Sequence, residues 1–347
     1  MPGLVADPLF QLNLLLWCTL PSSPDGVERI FRAEGYEIQS IAPRLRPRVG
    51  QLADVRALGG QDSASPELVL YASGKKHMMT LECKAVSFSS ASSLNVAQLV
   101  VFMIVEGPGL RDALGIHHSA NISSSVGYVI PTETTRRMAD TLEDAYLRIR
   151  NRGHPCNTGF VMLLDERPDG VYMGIERSDG LNDPSLRVKL EGWPRVLAWT
   201  DGSAWRPLYV LPVDPSIDGI ESDVVGKEIL EERIRAPLLA RVGNKIGTAE
   251  FEISVDDLMR SAVPVWNLWG AIEAKKAVRT FGLGLVRLVA TELRAAEIAV
   301  AERGGRFVVD GTTPEKAARV RRGLRLSLAR RLPLDLTTPE QGELFDE

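Results

Sequence analysis

Residues 66–84, PELVLYASGKKHMMTLECK, form the stretch that decides the predicted fold of this chain. The stretch contains two strand-like runs, 67–72 and 78–84, which are separated by the five residues SGKKH. Short runs rich in apolar side chains, joined by a glycine-containing connection, are typical of a β-hairpin. The sequence therefore predicts two adjacent antiparallel strands at this point.

Charged side chains lie at the outer ends of the predicted hairpin. Alternate residues of a strand share a face, so Glu82 and Lys84 point to one side while Cys83 points to the other. Neighbouring strands lie about 4.8 Å apart, so Glu67 at the start of the first strand can approach Glu82. Two converging carboxylates suit a hard divalent cation such as Mg²⁺ or Mn²⁺, and a nearby ammonium can stabilise charge developing on a phosphate.

The flanking sequence predicts further elements around the hairpin. In chain order these are a helix over residues 27–35, a strand over 36–41, a loop or irregular strand over 42–48, the hairpin, an apolar segment over 94–105 and a strand over 126–130. The length of segment 94–105 favours a buried helix, whereas its Val and Ile content favours a strand, and periodicity does not separate the two.

The segment SPELVLYASGKKHMMTLECK resembles the signature of the PD-(D/E)xK superfamily, the restriction-endonuclease-like nucleases. In that signature an acidic residue follows a proline at the head of one strand, and (D/E)-x-K follows on the next strand. The resemblance places Glu67, Glu82 and Lys84 at these three positions, and it covers roughly residues 20 to 130. It implies an αβββαβ core and Mg²⁺-dependent cleavage of phosphodiester bonds.

Two further positions match features that recur in many members of this superfamily. Glu28 matches a glutamate on the helix before the first strand, which adds to the metal site. Gln98 matches a glutamine on the helix after the hairpin, which supports substrate or water. The resemblance thus implies Glu67, Glu82 and Glu28 as metal ligands, with Glu67, Glu82, Lys84 and Gln98 as catalytic residues.

One departure from the pattern concerns the first acid, which is usually aspartate and here is Glu67. The extra methylene moves the carboxylate and weakens the expected fit to a metal. Asp54 and Asp62 remain alternative first ligands, and a catalytically inactive descendant of the nuclease fold remains an alternative reading of the whole chain.

The rest of the chain divides by composition into three regions. The expected fold class is α/β, with a nuclease domain and β-rich extension over residues 1–213, a mostly helical domain over 214–335 and an acidic tail over 336–347. The extension contains predicted strands over residues 160–164, 171–175, 196–200 and 205–211. The helical domain contains predicted helices over residues 229–242, 255–261 and 269–303.

Positive charge concentrates near the C-terminus of an otherwise acidic chain. The net charge is −4, yet residues 303–331 contain nine Lys or Arg against two acidic residues. Such a segment is where a phosphate backbone is expected to bind, although a solvated helix face has the same composition. The residues expected to bind nucleic acid are Arg319, Arg321, Arg322 and Arg325.

The acidic tail contains a short motif of its own. Residues 341–345, QGELF, resemble the bacterial sliding-clamp-binding pentapeptide, in which a glutamine and a Leu-Phe pair enter a hydrophobic pocket. Here Gln341 and the pair Leu344-Phe345 occupy those positions, and a flexible tail is the alternative. The resemblance implies a sliding clamp as a further partner.

The bulk composition fits a folded protein of a reducing compartment. The chain is 44% hydrophobic and 25% charged, which is enough apolar material for a sizeable core. Its three cysteines form no CxxC pair, so we expect neither a disulfide framework nor a zinc knuckle, and we expect a cytoplasmic location. The apolar stretch 9–20 is too short to span a bilayer, which needs roughly 20 residues, and we expect no membrane association.

These observations, together with the resemblance, predict a Mg²⁺-dependent DNA-cleaving hydrolase, and the resemblance implies restriction, phage defence or repair as its setting. Because cleavage of both strands requires two centres, a homodimer is an accompanying expectation. The alternatives are a catalytically inactive nuclease fold used for DNA binding or assembly, and a nuclease that acts on RNA.

Overall fold

The computed structural model describes residues 3–89, 93–116, 121–134, 138–199, 205–215, 222–246, 250–310, 313–315, 317–318 and 320. The chain forms two compact units. The first comprises Met1–Leu230 with Val263–Val278, and the second comprises Glu231–Ala262 with Arg279–Glu347. The predicted boundary at 213/214 thus lies inside the first unit.

A seven-stranded mixed sheet organises the first unit, with its strands in sequence order from one edge to the other. The strands are β1 (Glu37–Ile41), β2 (Leu68–Ala72), β3 (His77–Cys83), β4 (Ser123–Pro131), β5 (Thr158–Arg167), β6 (Gly170–Glu176) and β7 (Arg195–Ala198). The pairs β3–β4 and β4–β5 are parallel, and the other neighbours are antiparallel. The protein is therefore of the mixed α/β class.

Among the described residues, seven α-helices lie entirely within the first unit. They are α1 (Pro8–Thr19), α2 (Ile30–Ala33), α3 (Leu52–Ala57), α4 (Ser93–Ile104), α5 (Gly107–Ala113), α6 (Met138–Arg150) and α7 (Pro184–Glu191). An eighth helix, α8 (Val224–Lys245), begins in this unit.

The predicted hairpin is confirmed, with β2 and β3 antiparallel and Leu68 opposite Leu81. All seven residues of β3 are buried, as expected of a strand with neighbours on both sides. The apolar segment 94–105 is a helix, α4, because the parallel strands β3 and β4 require a crossover between them. This helix packs on one face of the sheet, where Leu99, Phe102 and Met103 are buried.

Helix α1 is buried on every side, and its residues from Leu9 to Thr19 are all buried. A helix that is apolar all round belongs in the interior of a protein, which explains the composition of stretch 9–20. Two amides within it bind main chain. Asn13 exchanges two hydrogen bonds with Leu211, and Gln11 Nε2 donates to the carbonyl of Lys84 at 2.9 Å. The helix thereby fixes the exit of β3.

Two predictions in the first unit are wrong. The helix expected from residue 27 begins only at Ile30, because Val27 forms a β-bridge with Leu197 and the Glu28 amide donates to Val196. Residues 205–211 do not form a strand but contain a short 3₁₀ helix, Arg206–Leu208. Pro207 lacks the amide hydrogen that a strand ladder requires.

The second unit combines helices with a small antiparallel sheet that the sequence analysis did not predict. The helices are the remainder of α8, then α9 (Val255–Ala262) and most of α10 (Ile272–Ala295); the sheet is β8 (Phe251–Ser254), β10 (Arg306–Val309) and β9 (Val300–Arg303), in that order. The helix predicted over 269–303 therefore ends at Ala295. Gly304 and Gly305 both have positive φ and form the tight turn between β9 and β10.

In the described part of the chain, no single helix is long and apolar enough to cross a bilayer. The helices Leu94–Ile104 and Gly107–Ala113 would reach the required length and hydropathy only together, and they meet at a bend of 95°.

A buried polar network lies at the start of β3. His77 Nε2 contacts Ser125 Oγ at 3.1 Å, and His77 Nδ1 contacts Tyr36 Oη at 2.6 Å. Tyr36 Oη in turn donates to Asp183 Oδ2 at 2.8 Å, which also accepts from Lys75 Nζ. Every donor in this network has an acceptor if His77 is neutral and protonated on Nδ1. The network joins the hairpin to the N-terminus of α7.

Burial of His77 makes the stability of the fold depend on pH. It lowers the pKa of the imidazole to about 4, although Asp183 acts in the opposite direction. Because the unfolded histidine titrates near 6.5, protonation favours the unfolded chain, and stability falls as the pH drops from about 6.5 towards 4. Between about pH 7.5 and pH 5 we expect this residue alone to cost about 2 kcal/mol.

Urea denaturation of the wild type and His77→Gln at these two pH values tests this expectation. The variant is expected to be less stable at neutral pH, by about 1–3 kcal/mol for the broken hydrogen bonds, and to lose less stability on acidification. Equal losses for the two proteins would contradict the assignment.

Candidate active site

Glu67 and Glu82 lie opposite each other at the open end of the β2–β3 hairpin. Leu68 pairs with Leu81, so the next position of the ladder aligns Glu67 with Glu82 on one face. The carboxylate of Glu82 accepts a hydrogen bond from the backbone amide of Glu67 at 3.2 Å. Glu82 is 3% exposed and Glu67 is half-buried, so the pair is open to solvent mainly from the side of Glu67.

Lys84 completes this cluster. Its Nζ lies 2.8 Å from Glu82 Oε1, and its side chain is 23% exposed, so its ammonium can meet both the buried carboxylate and solvent. The backbone of Lys84 is fixed on two sides, because its amide donates to Val129 and its carbonyl accepts from Gln11. The structure therefore brings Glu67, Glu82 and Lys84 together, as the sequence analysis expected.

The two carboxyl groups have raised pKa values. Burial raises the pKa of Glu67 well above its usual value, and the charges of Glu82 and Asp214 act in the same direction. Burial also raises the pKa of Glu82, while Lys84 and the Glu67 amide oppose the shift. When two carboxylates lie this near to each other in a low-dielectric site, their repulsion favours the uptake of a shared proton or cation.

Asp214 is an acid of this site that the sequence analysis missed. Its negative charge contributes to the raised pKa of both glutamates. The adjacent Pro215 is held by a hydrogen bond from the indole of Trp269 to its carbonyl at 3.2 Å. Asp214 lies more than a hundred residues beyond Lys84 in the sequence, and no local pattern there marks it.

The backbone explains how residues so distant in sequence meet here. Trp269 forms a parallel bridge with Ile41 at the edge strand β1. Ala42, which follows Ile41 in the chain, donates its amide hydrogen to the carbonyl of Glu67 at 3.0 Å. The segment around Pro215 and Trp269 is therefore connected through β1 to the start of β2, where Glu67 lies.

Tyr128 brings a further polar atom next to Glu82. It occupies the position of β4 that pairs with Glu82 in the parallel ladder, and it is fully buried. Its ring packs edge-on against Phe88, with ring centroids 5.3 Å apart. Burial and the charge of Glu82 raise the pKa of its phenol. Within the described ranges, no hydrogen-bond partner is present for its hydroxyl.

The other expected site residues do not join this cluster. Gln98 is half-buried on α4, and none of the hydrogen bonds among the described residues links it to Glu67, Glu82 or Lys84. Glu28 is exposed, precedes α2 rather than lying on a helix, and binds through its backbone amide to β7, four strands from β3. The expected helical position of Glu28 is therefore wrong.

The alternative first acids are paired with other side chains. Asp54 contacts His154 at 2.9 Å, and Asp62 accepts two hydrogen bonds from Arg56. Of the three candidates, Glu67 is the one that contacts Glu82. The expected nucleic-acid-binding residues Arg319, Arg321, Arg322 and Arg325 lie outside the described residues, as does the segment 341–345.

A divalent cation fits the donor chemistry of this cluster. Its oxygen donors are the carboxylates of Glu67 and Glu82, which are the ligand type that Mg²⁺ prefers, and Tyr128, whose buried hydroxyl has no hydrogen-bond partner among the described residues, pairs with Glu82 in the ladder. Over the described residues, however, no group of three or more His, Cys, Asp or Glu side chains is already arranged as a metal cluster. Binding would therefore require these carboxylates to lose a proton and rearrange.

Comparison with known proteins gave no relative. No family model matches this chain. A search of curated proteins and a search of solved structures each found no match either. The site is thus defined by its own geometry and chemistry.

The raised pKa of Glu67 gives this site a pH dependence of defined sign. A carboxyl group whose folded pKa exceeds its unfolded value stabilises the fold at low pH, and that contribution is lost as the pH rises above the unfolded value, near 4.3. Glu67→Gln removes the buried charge. We therefore expect the free energy of unfolding of this variant, relative to the wild type, to increase between about pH 5 and pH 8.

Urea denaturation at both pH values measures this difference. Glu191→Gln changes an exposed glutamate at the end of α7 and serves as the matched control. A constant difference between Glu67→Gln and the wild type across this range would contradict the electrostatic account of the site.

Proposed function

We propose that this protein is a metal-dependent nuclease that hydrolyses phosphodiester bonds in DNA. The observation that carries the proposal is the placement of Glu82 between Glu67 and Lys84 at the open end of the hairpin. Two carboxylates and one ammonium on neighbouring strands match the chemistry needed to hold a cation and to stabilise a phosphate. Restriction, phage defence or repair are the settings that we propose for such an activity, in the cytoplasm.

The order of elements in the first unit supports a restriction-endonuclease-like core. The antiparallel strands β1, β2 and β3 are followed by the crossover helix α4 and by β4, which is parallel to β3. The short helix α2 precedes β1. The full order also includes α3 between β1 and β2 and α5 before β4, so it matches the implied αβββαβ order only when these two short helices are treated as insertions.

The site residues have separate roles in the proposed reaction. Glu67 and Glu82 would hold Mg²⁺ or Mn²⁺, which when bound polarises the phosphate and lowers the pKa of a bound water. The partly exposed ammonium of Lys84 lies where it can stabilise charge on the phosphate. Although no hydrogen bond among the described residues links Gln98 to the cluster, we keep this half-buried residue of α4 as a proposed contact for substrate or water. Cleavage of both DNA strands would further require a homodimer.

Cleavage assays test this proposal. Purified protein is incubated with duplex DNA, single-stranded DNA or RNA in the presence of Mg²⁺ or Mn²⁺. We expect metal-dependent cleavage of DNA, and we expect Glu82→Gln and Lys84→Ala each to reduce its rate by about 10²-fold or more. Lys76→Ala, which removes an exposed lysine of the hairpin turn, is the matched control and is expected to keep the wild-type rate.

Cleavage that persists in both site variants would contradict the assignment of the active site. Preferential cleavage of RNA would retain the site but change the substrate.

A catalytically inactive nuclease fold that binds DNA or a partner is the second candidate function. It is favoured by the contact between Lys84 and Glu82, which already neutralises the buried carboxylate, and by Glu67 in place of aspartate. In such a module Glu82 would stay paired with Lys84, and the site would not take up a metal ion.

Calorimetric titration with Mn²⁺ distinguishes the two functions. Because metal binding must displace protons from carboxyl groups of raised pKa, we expect the affinity to rise with pH, by about tenfold per pH unit for each proton released. Glu82→Gln is expected to abolish this binding. An absence of Glu82-dependent binding at any pH, together with retained DNA binding, would favour the inactive module.

A further inference from the structure

The segment that leaves β1 next to Glu67 is extended and alternates strictly between buried and exposed residues. Pro43, Leu45 and Pro47 are buried, and Leu45 belongs to the core that packs around α4. The residues between and after them are exposed, namely Arg44, Arg46 and Arg48. We call these three side chains the arginine tract.

The backbone holds the arginine tract in this extended form. Leu45 and Ala64 form an antiparallel bridge, with hydrogen bonds of 2.8 and 3.1 Å between their main chains. Ala42, at the start of the segment, has a φ of +46°, which turns the chain out of β1. Since Ala42 is also bonded to Glu67, the tract begins beside the proposed active site.

The length of the tract follows from chain geometry. An extended chain advances at most about 3.6 Å per residue, so Arg44 lies within about 7 Å of Ala42 along the backbone and Arg48 within about 22 Å. Consecutive arginines of the tract are about 7 Å apart, because alternate residues of an extended chain share a face. Such a row of guanidinium groups can contact successive phosphates of one nucleic-acid strand.

Two acidic side chains offset part of the positive charge of the tract: Glu106 lines a small cavity together with Arg46 and Arg48, and Asp112 lies next to Arg48. Arg48 lies 3.7 Å from Asp112, with both side chains more than half exposed, which is a pair of little energetic value. Arg44 Nε donates to the hydroxyl of Ser63, which is uncharged. The nearby Asp62 is held by two hydrogen bonds from Arg56 and so does not offset the tract.

We propose that the arginine tract binds the phosphodiester backbone of the nucleic acid and leads one strand to Glu67 and Glu82. The inference rests on the proposed nuclease function and adds to it the surface that positions the substrate. Nucleic acid is the occupant that fits, because the tract presents linear, regularly spaced positive charge beside a site suited to phosphodiester chemistry. Arginine also suits phosphate, because its guanidinium group binds two oxygens at once.

Equilibrium binding measured over a series of salt concentrations tests the tract. Fluorescence anisotropy of labelled duplex DNA, single-stranded DNA and RNA is recorded in EDTA, so that binding is measured without cleavage. Each phosphate contact contributes about 0.9 to the slope of log K against log salt for duplex DNA and about 0.7 for single strands. For the triple variant Arg44→Gln, Arg46→Gln, Arg48→Gln we expect that slope to decrease by about 2 to 3.

Two further variants separate local binding from general effects. The triple variant of Arg32, Arg167 and Arg195 to Gln removes the same charge from exposed positions elsewhere on the first unit, and we expect it to keep the wild-type slope. Replacing the tract with three lysines keeps its charge and is expected to retain most of the slope. Thermal melting of each protein verifies that it is folded.

The outcomes distinguish the tract from the nuclease proposal. The proposed role of the tract would be overturned if both glutamine variants changed the salt slope equally, or if the tract variant kept the wild-type slope. Either result would count against the tract even if the wild type cleaves DNA. A wild type without salt-dependent binding to any of the three probes would overturn it as well. A reduced slope in the tract variant alone would support the tract, even if no cleavage is found, in which case the nuclease proposal fails separately.

Discussion

The burial of Glu82 in the central strand β3 is the constraint on which the rest of the site depends. A carboxylate at 3% exposure is costly unless its charge is compensated, and here Lys84 Nζ and the Glu67 amide both contact it. These contacts require the register of β2 against β3 and the exit direction of the chain after Cys83. Strand pairing and site chemistry are therefore one arrangement, and a change in register would separate the three residues.

The remainder of the first unit maintains that arrangement from both faces of the sheet. Helix α4 packs on one face, and the buried helix α1 holds the carbonyl of Lys84 through Gln11. At the opposite end of β3, the network around His77 fixes the start of the same strand. β3 is thus fixed at both ends by polar bonds, which are buried at the His77 end and partly buried at the Lys84 end.

Much of the first unit could be predicted from sequence because its signals are local. The hairpin follows from two apolar runs around a glycine-containing connection, and the common face of Glu82 and Lys84 follows from strand alternation. The apolar segment 94–105 could not be assigned from periodicity alone, since a fully buried helix and a buried strand have the same composition. The segment is a helix because β3 and β4 are parallel, and this long-range pairing requires a crossover between them.

Other features had no local signal. Asp214 reaches the site through contacts of Pro215 and Trp269, which are distant in sequence from Glu67. The tyrosine–histidine–aspartate network joins Tyr36, His77 and Asp183 from three separate elements. β9 has mostly exposed residues and so lacks the apolar alternation that identifies a strand, which is why the helix before it was predicted too long. Glu28 was wrongly assigned to a helix because the preceding residue, Val27, forms a β-bridge with Leu197 of β7.

We propose above all that Glu67 and Glu82 together hold a divalent cation. The most direct measurement is an anomalous difference map from crystals of this protein grown with Mn²⁺ near pH 8, where the carboxyl groups can lose their proton. The account predicts one strong peak within about 2.0–2.2 Å of an oxygen of each glutamate, with Lys84 displaced from Glu82. A map without a peak at this position, with Lys84 still bound to Glu82, would contradict it.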